Sequence, residues 1–176
     1  MKLFIASDIH GSLYFCKKML DAFKGEKADR LLLLGDILYH GPRNALPKDY
    51  NPAKVIPILN DIKDKILCAR GNCDAEVDQM VLDFPILADY LSITVGNTTI
   101  YATHGHLPPP KLPPLKEGAI LFSGHTHIPH FKKENGITYL NPGSVSIPKE
   151  GSHHGYMLFE NGNFLWKDFD GNIIEI

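Results

Sequence analysis

Five short hydrophobic runs in this sequence each end in a side chain that can bind a metal ion, and this pattern constrains the fold more than any other feature. Each run has the length of a strand and is too short for a helix. In α/β sheets, functional groups gather beyond the carboxyl ends of the strands, so we expect these side chains to meet at one edge. They are Asp8, His10, Asp36, Asn72, His104, His125 and His127.

The order of hydrophobic patterns predicts the fold class. The first half of the chain alternates strands with helices, whereas the second half contains turn dipeptides between β-rich runs. We therefore expect an α/β (α+β) fold, in which two mixed β-sheets pack together and helices flank them, within a single domain over residues 1–176. The predicted strands and helices of the first half are strands 2–7, 30–34 and 66–69 and helices 13–23, 52–63 and 75–82.

Two turn and loop segments of the second half have their own interpretation. Gly96-Asn97 is a hairpin signal between runs at 92–95 and 99–103. Residues 107–115 include five prolines and cannot form a helix. This segment is either a rigid surface loop that shapes the mouth of the site or a plain connector.

Composition excludes several classes of protein. The chain has 176 residues, of which 44% are hydrophobic and 22% charged, as expected for a globular domain with one core. Its net charge is −2 and it has no Lys/Arg run, so we expect no stable binding to nucleic acid. The apolar run at the N-terminus stops at Ser7-Asp8, which indicates a strand rather than a signal peptide, and no run is long enough to span a membrane.

Cysteine usage favours a cytoplasmic location. Cys16, Cys68 and Cys73 are odd in number and lack C-x-x-C spacing, so neither a disulfide framework nor a structural zinc site is expected. Cys16 lies on an apolar helix face and Cys68 within a predicted strand, which places both in the core.

The predicted ligands suit two divalent cations. Asp36 has two carboxylate oxygens and could bridge two ions, while neutral imidazoles and the Asn72 amide add ligands without adding negative charge. Mixed nitrogen and oxygen ligation without thiolate favours Mn, Fe, Zn or Ni over Ca or Mg. A pair of such ions can lower the pKa of bound water to about 7, which indicates phosphoryl chemistry.

The same residues carry a resemblance to a known family. The sequence resembles the calcineurin-like metallophosphoesterase superfamily in its five motifs, and two further blocks, 40–47 and 141–146, make it similar to the small bacterial phosphodiesterases of the YfcE type up to about residue 160. The five motifs are Asp8-Ile9-His10-Gly11, Gly35-Asp36, Gly71-Asn72-Cys73-Asp74, Thr103-His104-Gly105-His106 and Gly124-His125-Thr126-His127.

The resemblance implies a four-layer sandwich and a metal-dependent hydrolase of phosphodiesters that uses a hydroxide bridging two metal ions. Mn²⁺ is the first expectation, with Fe, Zn or Ni as alternatives. By motif position, Asp36 would be shared between two ligand sets. The first set would be Asp8, His10, Asp36 and His127, and the second Asp36, Asn72, His104 and His125.

One position departs from the commonest pattern of the superfamily. Many members have a histidine that stabilises the transition state or protonates the leaving group, and this chain has Cys73 there, as relatives of the YfcE type do. A thiol ionises near 8.5 and is a weak donor, so we expect a bias towards esters whose leaving group departs easily. We further expect Asp74 to orient a ligand histidine and Arg43 to reach the substrate phosphate.

Alternatives remain open at this point. The enzyme could be a phosphomonoesterase or protein phosphatase, although Cys73 counts mildly against this, or a nuclease, although no basic face is present. A scaffold on the same fold is a third alternative, which the intact ligand positions disfavour. A homodimer is also compatible with the sequence. We also expect His106 at the rim of the site, Asn44 and Ser144 near the site, and His153-His154 as a solvated pair.

Overall fold

The structure is a computed structural model that describes residues 1–96, 98–107 and 114–176. Its helices are α1 (Leu13–Gly25), α2 (Pro52–Asn60) and α3 (Glu76–Gln79), with a 3₁₀ turn at Lys63–Lys65. Its strands are β1 (Leu3–Ala6), β2 (Arg30–Leu33), β3 (Ile66–Cys68), β4 (Tyr90–Val95), β5 (Thr98–Thr103), β6 (Ile120–Phe122), β7 (Pro129–Glu134), β8 (Ile137–Pro142), β9 (Gly155–Glu160), β10 (Asn163–Asp168) and β11 (Ile173–Ile174).

The strands form two mixed sheets. The first has the order β11-β10-β9-β1-β2-β3, with β1, β2 and β3 parallel. The second has the order β4-β5-β6-β8-β7, with β5, β6 and β8 parallel. Each sheet therefore has a parallel half whose strands end at a common edge, and the antiparallel strands complete the sheet.

Alternating side chains of β1 and β2 supply two separate cores. Leu3, Ile5 and Leu32 point between the sheets and pack with residues of the second sheet such as Phe122. Their sequence neighbours point to the opposite face, where a second cluster packs beneath α1 and α2. This explains why both strands are continuous apolar runs, since both of their faces are buried.

The prediction of two packed mixed sheets with flanking helices is confirmed. Within the described residues, the helical layer covers the first sheet, whereas β4 on the second sheet exposes Tyr90, Ser92 and Thr94. No helix in the described ranges has the length and hydropathy required to cross a bilayer.

Helix ends differ from the predicted ones. Ser12 caps α1 by accepting the Phe15 amide with its hydroxyl oxygen, and the helix ends at Gly25, two residues beyond the predicted end at residue 23. Helix α2 ends at Asn60, because the chain tightens into the 3₁₀ turn before β3. The third helix has only four residues instead of spanning 75–82. Asn97 of the predicted hairpin turn and residues 108–113 of the predicted rigid loop lie outside the described residues.

Candidate metal centre

Each of the seven predicted ligands follows a strand at the edge where the parallel halves of both sheets end. Asp8 follows β1, Asp36 follows β2 and Asn72 follows β3, while His104 follows β5 and His125 follows β6. The two sheets face each other across the core, so their strand ends meet above it. The structure therefore brings together side chains from residue 8 to residue 127.

The backbone at this edge is held in an uncommon conformation. Five of the seven residues have a left-handed φ between 48° and 67°, namely Asp8, His10, Asp36, His125 and His127. Non-glycine residues rarely adopt this region, and such strain concentrates at functional sites. Backbone hydrogen bonds from residues 8, 10 and 11 to residues 35, 36 and 37 hold two of these turns side by side.

Three histidine rings are oriented by backbone carbonyls. The Nδ1 atoms of His10, His104 and His127 lie 2.8, 2.7 and 2.6 Å from carbonyl oxygens of Tyr39, Leu34 and Ile147. Because a carbonyl only accepts, each Nδ1 carries the proton, and each neutral ring presents the lone pair of Nε2 to the site. Such a second hydrogen bond is typical of metal-binding histidines.

The first predicted ligand set is compact. His127 Nε2 and His10 Nε2 lie 3.2 and 3.5 Å from Asp8 Oδ1. The two Nε2 atoms are 3.3 Å apart, and His10 Nε2 is 3.6 Å from Asp36 Oδ2. Ligands that share an ion at about 2.1 Å lie about 3.0–3.6 Å from one another for angles of about 90–120° at the ion, so these separations suit a common ion.

The second set lies on the other side of Asp36. His104 Nε2 is 3.4 Å from Asp36 Oδ2, 3.1 Å from Asn72 Oδ1 and 3.2 Å from His125 Nδ1. Asp36 Oδ2 thus faces both sets. Its Oδ1 accepts a hydrogen bond from the Cys73 amide at 2.8 Å. Oδ2 is therefore the Asp36 oxygen that lies within 3.6 Å of a histidine from each set, and Asp36 as a residue shared between two ions stays a prediction.

Asp8 provides a test of whether these residues fit a cation. Its side chain is completely buried, and its Oδ1 accepts no hydrogen bond from any described residue. The nearest groups are imidazole nitrogens, and when these rings are neutral their protons point away from Oδ1. A buried, unsatisfied carboxylate oxygen surrounded by lone pairs is unfavourable unless positive charge lies among them. The donor set therefore fits divalent metal ions. His10, Asp36 and His104 each belong to a group of residues whose potential ligand atoms are spaced as metal ligands are.

The pKa values of the site residues in the absence of metal ions are consistent with this need for positive charge. Burial opposes charge on His104, but hydrogen bonding to Asp36 and the field of Asp8 outweigh it and raise its pKa to about 9. Burial likewise opposes charge on Asp8, yet the imidazoles of His10 and His127 hold its pKa well below the usual range. A raised pKa keeps His104 protonated at neutral pH when no metal is bound, and metal binding would release this proton.

Asp74 positions the backbone rather than a histidine. Its carboxylate accepts hydrogen bonds from the amides of Asp36, Ile37 and Gly71 at 2.9, 2.9 and 2.7 Å. The expectation that Asp74 orients a ligand histidine was wrong, because those rings already donate to carbonyls. Asp74 instead joins the turn after β2 to the turn after β3.

Cys73 lies beside the site with its thiol half-buried. Asn72 Nδ2 is 3.2 Å from the sulfur. Burial and the neighbouring Asp36 carboxylate raise the pKa of the thiol to about 12, above the value near 8.5 assumed from the sequence. A neutral thiol can donate only a weak hydrogen bond to a substrate.

A polar cavity of about 360 Å³ opens above the metal-binding side chains. Asp36, Asn72, His125 and His127 form part of its wall, together with Cys73. Arg43 and Asn44, both predicted near the site, line it as well. Lys149 also lines it, and sequence reasoning missed this residue. The only sequence signal was its position three residues after the block 141–146.

Two serines hold the turn that carries Asp8. The hydroxyls of Ser144 and Ser146 donate to the Asp8 carbonyl at 3.0 and 3.1 Å. Ser144 therefore supports the site without facing the cavity, and Ser146 was not foreseen. His106 is half-buried, and its ring centre is 5.3 Å from that of His104, which is compatible with the predicted rim position.

The prediction that His153 and His154 form a solvated pair is wrong for His154. His153 is exposed, but the His154 ring stacks on Phe15 at 3.8 Å and its Nδ1 donates to the Val145 carbonyl at 3.0 Å. Cys16 and Cys68 are buried in the core, as predicted.

Comparisons with known proteins agree with this architecture. The profile of the Calcineurin-like phosphoesterase superfamily domain matches residues 1–163. Phosphodiesterase YfcE of Escherichia coli K12 is 48% identical over 162 residues, which cover 92% of this chain and 88% of the relative. Phosphodiesterase MJ0936 of Methanocaldococcus jannaschii is 24% identical over 151 residues, covering 81% and 83% of the two chains.

Solved structures give the same result. The structure of YfcE, a phosphoesterase from E. coli, superposes with a TM-score of 0.94 at 46% identity, covering 99% of this chain and 97% of the other. Vacuolar Protein Sorting 29 of Cryptosporidium parvum superposes with a TM-score of 0.65 at 18% identity, covering 98% and 95%, and shares the fold. From the family profile and the identity to YfcE, the chain belongs to the calcineurin-like phosphoesterase superfamily.

Proposed function

We propose that this protein is a metal-dependent phosphodiesterase that uses two divalent ions, with Mn²⁺ as the first choice. The observation that carries the proposal is the convergence of imidazole lone pairs on Asp8 and Asp36, with Asp8 Oδ1 buried and unsatisfied. The identity to Phosphodiesterase YfcE supports the diester as substrate class. We propose Asp8, His10, Asp36 and His127 for one ion, and Asp36, Asn72, His104 and His125 for the other.

The bound ions would supply a nucleophile from water at neutral pH and positive charge for the phosphate. The chain itself fixes where this happens. The carbonyls of Leu34, Tyr39 and Ile147 hold three rings in one tautomer, and Asp74 holds the turn that carries Asp36. Arg43, exposed on the cavity wall, is proposed to contact the anionic substrate.

Cys73 bears on which esters are cleaved. The sulfur lies at the cavity wall, where a thiol can offer only a weak hydrogen bond to a departing oxygen. We propose that hydrolysis is efficient for leaving groups of low pKa, such as p-nitrophenolate, and slow for alkoxides.

Metal removal tests the proposal. Chelation followed by gel filtration is expected to reduce hydrolysis of bis(p-nitrophenyl) phosphate at least 100-fold, since the nucleophile depends on the ions. Addition of Mn²⁺, Fe²⁺, Zn²⁺, Ni²⁺ and Mg²⁺ in separate samples should restore it, with Mn²⁺ restoring most and Mg²⁺ least. Unchanged hydrolysis by the stripped protein would contradict metal dependence.

The same assay separates the diesterase from a phosphomonoesterase. Rates on p-nitrophenyl phosphate measured beside the diester should be lower at equal concentration, and a higher rate on the monoester would favour the alternative. A homodimer, a cytoplasmic location, a single domain over residues 1–176 and the absence of stable nucleic-acid binding remain proposals from the sequence.

A further inference from the structure

Two cations line the cavity in addition to the residues proposed for metal binding. Arg43 lies in the loop that follows Asp36. Lys149 lies three residues after the block 141–146, which begins at the end of β8. Both are exposed, and neither forms an ion pair with a carboxylate in the ranges that the structure describes. Their charge is therefore directed to solvent and to whatever enters the cavity.

Lys149 is attached to the site through its backbone. Its amide donates to the His127 carbonyl at 3.2 Å, and its own carbonyl accepts the Ser152 hydroxyl at 2.7 Å. The Ser152 amide donates to the same carbonyl at 3.0 Å and closes a turn. These hydrogen bonds fix the backbone of Lys149 relative to His127, a proposed metal ligand.

Arg43 is held by a second turn. The Asn44 amide donates to the Gly41 carbonyl at 3.4 Å, and the Asn44 side chain donates to the His40 carbonyl at 2.9 Å. This turn packs closely against Cys73. The space between them is so small that a Cβ atom added to Gly41 would lie 3.3 Å from the sulfur. Both cations thus project from turns that are fixed to the site.

The positive charge exceeds what one phosphodiester requires. A diester carries a single negative charge, and the ions proposed for the seven ligands would compensate it. A terminal phosphate carries about −1.5 to −2 at neutral pH and is matched by two cations, of which an arginine can bind it with two parallel hydrogen bonds. Arg43 and Lys149 line the same cavity and would provide this pair.

We propose that Arg43 and Lys149 form a subsite for a second phosphate group of the substrate, so that the preferred substrate is a diester that also bears a phosphate. This inference rests on the proposed phosphodiesterase function and specifies its substrate class. The cavity volume of about 360 Å³ lies within the range of sites for small molecules.

A matched pair of chromogenic diesters tests the subsite. Thymidine 5′-(p-nitrophenyl phosphate) and the same compound with a 3′-phosphate release the same leaving group from the same bond. We expect the wild-type protein to prefer the 3′-phosphorylated compound at least about tenfold in kcat/KM, mainly through KM, because a hydrogen-bonded charge pair contributes on this scale. The preference should decrease as salt is raised.

Variants of Lys149 assign the preference to this residue. Lys149→Ala should reduce the preference to about threefold or less, and Lys149→Arg should retain most of it because the charge is kept. Lys54→Ala, at an exposed lysine outside the cavity wall, is the matched control and should keep the wild-type ratio.

Two outcomes would overturn the subsite. One is equal kcat/KM for both compounds in the wild-type protein, and the other is an undiminished preference in Lys149→Ala. Absence of p-nitrophenolate from both compounds in the Mn²⁺-loaded wild-type protein would overturn the phosphodiesterase function itself, and the subsite with it.

Discussion

Asp36→Asn is expected to reduce kcat/KM for bis(p-nitrophenyl) phosphate by about 10³-fold or more, since it removes the one oxygen that faces both ligand sets. Asparagine can still accept the Cys73 amide through its Oδ1, so the turn after β2 should keep its conformation. The loss would therefore reflect ion binding rather than unfolding. Metal analysis of the purified variant should show fewer ions per chain.

His125→Ala should produce a similar loss through the second ion alone. His125 is half-buried, and its backbone amide, which donates to Asp8 Oδ2 at 3.1 Å, is retained in the variant. Asp170→Asn, at an aspartate whose side chain is 77% exposed, serves as the control and should retain wild-type activity and metal content. Full activity of either Asp36→Asn or His125→Ala would be incompatible with the proposed site.

Asp74→Ala is expected to lower the free energy of unfolding by about 3–5 kcal/mol, because it leaves three buried amides without an acceptor. Asp74→Asn should cost less, since its remaining oxygen can accept part of this set. Urea unfolding followed by circular dichroism measures both.

The matched control for Asp74 is Asp83→Ala. The Asp83 side chain is 55% exposed in an ion pair with Lys63, so its removal should change stability by less than about 1 kcal/mol. Equal effects of Asp74→Ala and Asp83→Ala would show that Asp74 does not brace the two turns. Activity should fall with Asp74→Ala even where the protein stays folded, because the turn that carries Asp36 loses its support.

The sequence allows the edge of the site to be predicted because strand periodicity and strand ends are local properties. Apolar runs before Asp8 and Asp36 indicate two parallel strands of one sheet, and those before His104 and His125 indicate two parallel strands of the other, so that each pair ends at one edge. This reasoning needs no knowledge of distant contacts. The structure brings the seven predicted ligand side chains to this edge, even though several helix ends differ from the predicted ones.

Through-space contacts explain what could not be predicted. The carbonyl partner of His104, at Leu34, is 70 residues away, and the amides bound by Asp74 belong partly to the turn after β2. Lys149 reaches the cavity because its amide bonds to His127, and His154 is half-buried because Phe15 lies beneath it. None of these partners is marked by spacing or composition.

The left-handed backbone of the ligands is a further property that sequence alone does not reveal. Asp8 and Asp36 have φ values of 61° and 55°, whereas glycine is the residue that usually indicates this conformation. In this chain the strain is held by hydrogen bonds between the two turns and by the serines that bind the Asp8 carbonyl.

Anomalous diffraction from crystals of the Mn²⁺-loaded protein tests the central claim most directly. Two peaks about 3.5–4 Å apart are expected on either side of Asp36 Oδ2, one beside His10 and His127 and the other beside His104 and His125. A single peak, or two peaks that Asp36 does not join, would contradict the account.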